Sequence, residues 1–197
     1  ISSAIMSQGF EIIDLEYKYP LVEEIVKINP DILCFQEIWL GPARNYLRKV
    51  LKPLGFEYSF HPISKFRANG LLTLSKKKIL SAKSHDFKPL VTGLNFSFFE
   101  LLGAKSYSLV KIKLSEKKEI ALFNIHLSAD WTNKENSVSH YTPSKLVEIE
   151  ILSKAINLLG KEKIIVVGDF NLEENSFLYK RLLKTSGLKD ALLKKGS

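Results

Sequence analysis

A continuous apolar run ends in polar side chains at Ile164-Ile165-Val166-Val167-Gly168-Asp169-Phe170-Asn171. Four successive β-branched residues are typical of a central strand that is covered on both faces of its sheet. The polar residues follow at the point where such a strand would end. We therefore predict a buried strand that presents Asp169 and Asn171 at one rim of a sheet, where a rigid scaffold fixes their direction.

Two other buried runs end in the same way. Residues 32–35 lead into Gln36 and Glu37, and residues 121–125 lead into His126. Strand ends are common positions for catalytic groups, because the sheet behind them is rigid. The three runs together predict that their terminal polar residues meet at one rim.

The spacing of these residues adds a chemical argument. Asn124 and His126 are two residues apart, as are Asp169 and Asn171, and residues at that spacing share one face of a strand. With Glu37, one rim would then gather two carboxylates, an imidazole and two amides. Carboxylate oxygens suit Mg²⁺ or Mn²⁺, which keep several waters and bind substrate phosphate. Alone, each residue is more typical of a turn or of a structural imidazole, but the set indicates metal-assisted phosphoester hydrolysis.

The remaining pattern predicts an α/β protein with two mixed sheets stacked face to face and helices on the outside. A hairpin is expected from two strands that flank a charged turn, at residues 106–114 and 120–127. Thr142 and Pro143 predict a helix start, with Thr142 as the cap. Other helices are predicted at about residues 21–28, 42–51 and 176–184, and other strands at 57–60, 71–74 and 79–86.

Composition is that of one soluble globular domain: 197 residues, of which 45% are apolar and 25% charged. The net charge of +8 suits nucleic acid, a phosphoester or peripheral contact with an anionic membrane, and equally a lysine-rich solvated surface. The single cysteine, Cys34, cannot form an intrachain disulfide. Ile1-Ser2-Ser3-Ala4 is not a signal peptide, and no transmembrane segment is present in the sequence. We expect a monomer, and a cytoplasmic location is favoured.

Three motifs of this chain resemble those of the endonuclease/exonuclease/phosphatase superfamily of Mg²⁺-dependent phosphohydrolases. They are residues 31–37, 124–127 and 167–171, and residues 70–76 and 187–191 are similar to two further segments of that family. The resemblance implies a DNase I-like four-layer α/β sandwich. It also implies a role for four candidate residues: Glu37 binds Mg²⁺ or Mn²⁺, His126 contacts phosphate or acts as an acid, Asp169 orients or activates water, and Asn171 holds the phosphate. Independently of the resemblance, Arg67 and Asn69 lie just before Gly70, where they could reach a substrate phosphate, although Arg67 could equally be a surface charge. Asn124 is a further candidate for substrate binding.

Two features depart from the family pattern. The family's first strand carries an Asn at the metal site, whereas residues 1–16 contain no strand that ends in Asn. The family also ends on an Asp-His pair that provides the general base, whereas only residues 191–197 follow Asp190. We therefore expect residues 1–197 to form a single domain of this family that is truncated at both ends, and to be inactive without the Asp-His pair.

Three functions remain open at this point. Residues 124–130, Tyr141 and the following helix are similar to sphingomyelinase-type members, which favours a phosphodiesterase acting on a phospholipid headgroup or another small phosphodiester. A DNA or RNA nuclease is the second possibility, because lysines at 76–78, 161 and 163 would attract a nucleic-acid backbone. The third is a non-catalytic binding protein on the same fold. An apolar patch is either a lipid-facing loop or a buried strand or short helix; its residues are Phe96, Phe98, Phe99, Leu101 and Leu102.

Overall fold

The computed structural model describes residues 19–63, 68–87, 103–130 and 141–191. The helices are α1 (Tyr19–Ile28), α2 (Gly41–Leu51), which continues into a 3₁₀ turn (Lys52–Leu54), α3 (Thr142–Asn157) and α4 (Phe177–Ser186). The strands are β1 (Ile32–Phe35), β2 (Tyr58–Phe60), β3 (Ala68–Asn69), β4 (Leu72–Ser75), β5 (Ile79–Asp86), β6 (Gly103–Ala104), β7 (Ser106–Ser115), β8 (Lys118–His126) and β9 (Ile164–Asp169).

The strands form two main sheets and a short parallel pair. The first sheet is antiparallel with the order β1-β4-β2, and the second is mixed with the order β5-β7-β8-β9. Strands β7 and β8 form the predicted antiparallel hairpin, whereas β8 and β9 run parallel. The short pair joins β3 to β6.

Alternating side chains on the strands build a four-layer sandwich. On β8, Phe123 and Ile125 pack with Ile149 and Leu152 of α3, because odd-numbered positions face the helices. The even-numbered Leu122 belongs to the core between the two sheets. A third core lies between the β1-β4-β2 sheet and helices α1 and α2. The predicted α/β sandwich of two sheets with outer helices is therefore confirmed.

Strand β9 differs from the sequence prediction in its position. Its side chains contribute to the cores on both faces, as expected, with Val166 toward the helices and Val167 toward the other sheet. However, β9 lies at the edge of its sheet, and no strand among residues 19–63, 68–87, 103–130 and 141–191 pairs with its outer side. No side chain of β9 is fully buried, and Ile165 is 45% exposed, so that the faces of the predicted buried strand are only partly covered. Within the described residues β9 thus has one neighbouring strand, whereas a central strand has two; a β-branched run reports covered faces and does not report paired edges.

The helix ends agree with the sequence, with one correction. Ser176 caps α4, since its Oγ accepts a hydrogen bond from Tyr179 N at 3.2 Å. At α3, Pro143 lies in the first turn as predicted, but Thr142 is already helical, and the cap position is Tyr141. None of the helices in the described part of the chain is long and apolar enough to cross a membrane.

Candidate active site

Strand register brings the predicted residues together at the rim between the two sheets. His126 is the last residue of β8 and lies beside Asp169 of β9 and Ser106 of β7. Asn124 and His126 share a face of β8, as their spacing predicts, and this face is the one directed at the β1-β4-β2 sheet. Glu37 follows the end of β1 in that facing sheet. The site is thus assembled from both sheets.

Three charged side chains converge on one atom, His126 Nε2. Glu37 Oε1 and Asp169 Oδ2 each lie 3.8 Å from it, and Lys105 Nζ lies 2.7 Å from it. The His126 side chain is only 2% exposed, whereas that of Asp169 is 44% exposed. The arrangement therefore has a buried imidazole at its base and carboxylates that face solvent.

The contact with Lys105 fixes the protonation of His126. A lysine ammonium can only donate a hydrogen bond, so Nε2 is assigned as the acceptor and the ring proton is assigned to Nδ1, which is buried without a hydrogen-bond partner among the described residues. Burial, together with the charge of Lys105, lowers the pKa of His126 to about 4, and the charge of Asp169 opposes this change. The imidazole is therefore neutral near pH 7, and Lys105 supplies the positive charge at this position.

The backbone of Glu37 is held in an unusual conformation. Its φ of 61° is in the left-handed region, which is rare for a residue that is not Gly, Asn or Asp. Gly70 packs directly against it, since a Cβ at Gly70 would lie 2.9 Å from Glu37 Cα. Ile38 N also donates a hydrogen bond to Gly70 O at 2.9 Å. Such strain is characteristic of functional positions, and here it aims the carboxylate at His126.

Asn171 lies next to Asp169 in the turn that follows β9. Its backbone N–H donates to Asp169 Oδ1 at 2.9 Å, and its Nδ2 donates to Leu127 O at 2.9 Å. Like Glu37, it has a positive φ, of 48°. The side chain of Asn171 thereby ties the turn after β9 to the segment after β8.

Asn124 links the two sheets. Its side chain is fully buried; Oδ1 accepts a hydrogen bond from Gln36 Nε2 at 2.7 Å, and Nδ2 donates to Phe35 O at 3.1 Å and to Leu72 O at 3.3 Å. This geometry does not support the predicted substrate contact. Asn124 precedes His126 by two residues on β8 and therefore lies further from the rim. There its side chain orients Gln36, the neighbour of Glu37 in the sequence.

The other predicted substrate contacts are also accounted for. Asn69 is buried, and its Nδ2 donates to Asp86 Oδ1 at 3.1 Å and to Ser106 Oγ at 2.9 Å. Its Oδ1 accepts from Leu71 N at 3.0 Å, so that its amide is occupied within the protein and a substrate contact is not supported. Arg67 and the apolar residues 96–102 lie outside the described residues.

Lys105 is the residue of the site that the sequence did not assign. It comes directly before β7, and its position beside His126 follows from the pairing of Ser106 with His126. The signal available in the sequence was a lysine at the start of the strand that forms a hairpin with the His126 strand. Without the register, nothing distinguishes it from the surface lysines of the same hairpin.

Replacing Asn124 by alanine is expected to destabilise the fold by about 3 kcal/mol, because two buried carbonyl groups and Gln36 would lose their partner. Chemical denaturation measures this effect. The matched control is Asn157→Ala, which removes one exposed hydrogen bond to Thr185 O and should change stability by less than about 1 kcal/mol. Equal effects of the two substitutions would show that Asn124 does not link the sheets.

The carboxylates at the rim have the chemistry of a site for a hard divalent cation. Within the described residues, no three His, Cys, Asp or Glu side chains are arranged to enclose a metal ion. Mg²⁺ does not require such a cage, since it is commonly bound through one or two carboxylates and completes its shell with water and phosphate. Glu37 and Asp169, both 3.8 Å from the same imidazole nitrogen, fit that requirement.

Sequence comparison identifies the class of protein that has this fold and site. The profile of the Endonuclease/Exonuclease/phosphatase family matches residues 11–194. The chain belongs to this family. A search of curated protein sequences found no match.

Solved structures of low sequence identity share the fold. A variant of the beta toxin from Staphylococcus aureus with bound magnesium ions superposes with a TM-score of 0.69 at 18% identity, covering 86% of this chain and 62% of that one. Sphingomyelinase C from Streptomyces griseocarneus gives 0.65 at 14% identity, with 90% and 65% covered. ANGEL2, a 2′,3′-cyclic phosphatase, gives 0.64 at 18%, with 93% and 55% covered. The chain thus spans less than two thirds of the length of these structures.

Proposed function

We propose that this protein hydrolyses a phosphodiester with the aid of Mg²⁺ or Mn²⁺. The observation that carries the proposal is the convergence of Glu37, Lys105 and Asp169 on His126 at the open rim between the two sheets. Members of the family are generally hydrolases. Two carboxylates and a cation around one buried imidazole form a set that can bind a phosphate group and activate water.

Each residue has a distinct part in this proposal. Glu37 would hold the divalent cation, which when bound polarises a phosphoryl oxygen and neutralises charge on it. Asp169, hydrogen-bonded by Asn171 N, would orient the attacking water. Lys105 would attract the phosphate through its positive charge. His126 cannot do so, because its imidazole is neutral near pH 7. His126 would accept or return a proton at Nε2, the atom nearest to both carboxylates, when Lys105 turns its ammonium group from Nε2 to the phosphate.

For the substrate, we favour a phospholipid headgroup or a similar small phosphodiester. The segment from Asn124 to Asp130 resembles sphingomyelinase-type members, and a sphingomyelinase C is among the proteins that share the fold. Nucleic acid is the second candidate, and the net charge of +8 supports it through attraction of the phosphate backbone. The same charge would also favour peripheral contact with anionic membranes.

A comparison of three substrates tests both the reaction and its class. The full-length protein that contains residues 1–197, with any segments that precede or follow them, is purified and incubated with sphingomyelin vesicles, plasmid DNA and bis(p-nitrophenyl) phosphate, each with Mg²⁺ and with EDTA. We expect Mg²⁺-dependent hydrolysis, with sphingomyelin cleaved faster than DNA. Cleavage of DNA alone would shift the substrate to nucleic acid. Hydrolysis of none of the three would contradict the proposed function and favour a non-catalytic binding protein.

A further inference from the structure

Two charged residues of α3 are buried beside the candidate site. Lys145 and Glu148 are each only 4% exposed, although charged side chains are almost never buried without partners. They are three residues apart and therefore neighbours on one face of the helix. The roles proposed above do not use them.

The two side chains hold the segments that follow β8 and β9. Lys145 Nζ donates a hydrogen bond to Asn171 O at 2.7 Å. Glu148 accepts two hydrogen bonds from Ser128, from its backbone N at 2.9 Å and from its Oγ at 2.5 Å. One helical turn thus anchors the segment after His126 and the turn after Asp169.

The two anchored segments are also bonded to each other. Leu127 N donates to Asp169 O at 3.0 Å, and Asn171 Nδ2 donates to Leu127 O at 2.9 Å. A displacement of Asn171 is therefore transmitted to Asp169 in two ways, through the Asn171 N–H to Asp169 Oδ1 and through Leu127. The anchor at Lys145 lies at the end of this network.

Stability alone does not explain a charged anchor at this place. Burial lowers the pKa of Lys145, which means that the folded protein disfavours its charged form, although Asp130, Glu148, Glu173 and Asp169 oppose that effect. Buried charges are weak evidence for stability, since apolar residues of similar volume are often as good or better. What a lysine provides here, and an apolar residue does not, is a donor that reaches the Asn171 carbonyl.

We propose that Lys145 is a positioning residue, which sets the geometry of Asp169 through its hydrogen bond to the carbonyl of Asn171. The expected change in kcat rests on the proposed function. The hydrogen-bond network that connects Lys145 to Asp169 does not depend on that function. Among the described residues, Lys145 Nζ donates its hydrogen bond to the Asn171 carbonyl and not to the Asp169 carboxylate. It acts through Asn171 and Asp169.

The kinetic test compares Lys145→Met with Lys154→Met, a control on the exposed side of the same helix. Lys145→Met should lower kcat about tenfold and leave KM within about twofold, because a displaced catalytic group reduces turnover more than binding. In an Asp169→Asn background the same substitution should lower kcat by less than about twofold, since both changes act on one group. An equal factor in both backgrounds would overturn the proposal.

The structural test does not depend on catalysis. Hydrogen exchange at the Asn171 and Leu127 amides, followed by NMR, should accelerate about tenfold in Lys145→Met and remain within about twofold in Lys154→Met. Unchanged exchange would overturn the proposal, even in a protein with no phosphodiesterase activity. Lys145→Gln guards against loss of the fold: if it and Lys145→Met both unfold where Lys154→Met is folded, Lys145 is a stability residue and the proposal fails.

Discussion

Replacing Glu37 by glutamine is expected to reduce metal-dependent hydrolysis by at least about 100-fold. A metal ion contributes several kcal/mol of transition-state stabilisation, and each 1.36 kcal/mol corresponds to a factor of about ten in rate. Glutamine keeps the volume of the side chain and one oxygen but removes the negative charge that attracts the cation. The effect should include a higher Mg²⁺ concentration for half-maximal rate, which a titration of the rate with Mg²⁺ measures.

The control for this prediction is Glu116→Gln in the turn between β7 and β8. Glu116 forms an exposed ion pair with Lys113 at 2.9 Å, and its loss should leave the rate within about twofold. A rate of Glu37→Gln within threefold of the unmodified protein, at low and at high Mg²⁺, would show that Glu37 is not the ligand.

The second large effect is expected on folding, from Gly168→Ala. Gly168 has a φ of 134°, and a Cβ there would lie 2.1 Å from Ile125 O and 2.8 Å from Ile125 N in the neighbouring strand. Neither atom can move without breaking the pairing of β8 with β9, which places His126 beside Asp169. We expect a loss of about 4 kcal/mol or more in the free energy of unfolding, which is a large share of the stability of such a domain.

Gly160→Ala is the matched substitution. Gly160 also has a positive φ, of 59°, but a Cβ there would meet no atom within 4 Å. Only the conformational penalty applies, which is about 1 kcal/mol. Denaturation of the two variants separates the effects, and equal losses would mean that the close contact between Gly168 and Ile125 is not present in solution.

The local pattern of the sequence was sufficient to predict which polar residues lie at the ends of the strands. Period-two spacing placed Asn124 and His126 on one face of β8, and the apolar runs located Glu37 and Asp169 at the ends of their strands. These are properties of single strands, which sequence periodicity reports directly. The four layers follow from the same alternation, because β7, β8 and β9 each have apolar side chains on both faces.

Properties that depend on pairing between distant segments could not be predicted. Lys105 reaches His126 only because Ser106 is in register with it across the hairpin. The position of β9 at the edge of the sheet that the described strands form likewise depends on the order in which strands assemble. The distance of an amide side chain from the rim of the sheet could not be predicted from the sequence either. Asn124 is two residues further from the rim than His126, which is enough to turn a predicted substrate contact into a link between sheets.

The rate at which the full-length protein that contains residues 1–197 hydrolyses bis(p-nitrophenyl) phosphate, with Mg²⁺ and with excess EDTA, tests the metal-dependent reaction most directly. This substrate offers the phosphodiester alone, without a lipid surface or a nucleic-acid backbone. We predict a rate with Mg²⁺ at least about 100-fold above that with EDTA, restored when Mg²⁺ is added back. A rate that is the same with Mg²⁺ and EDTA, or no hydrolysis under either condition, would contradict the account.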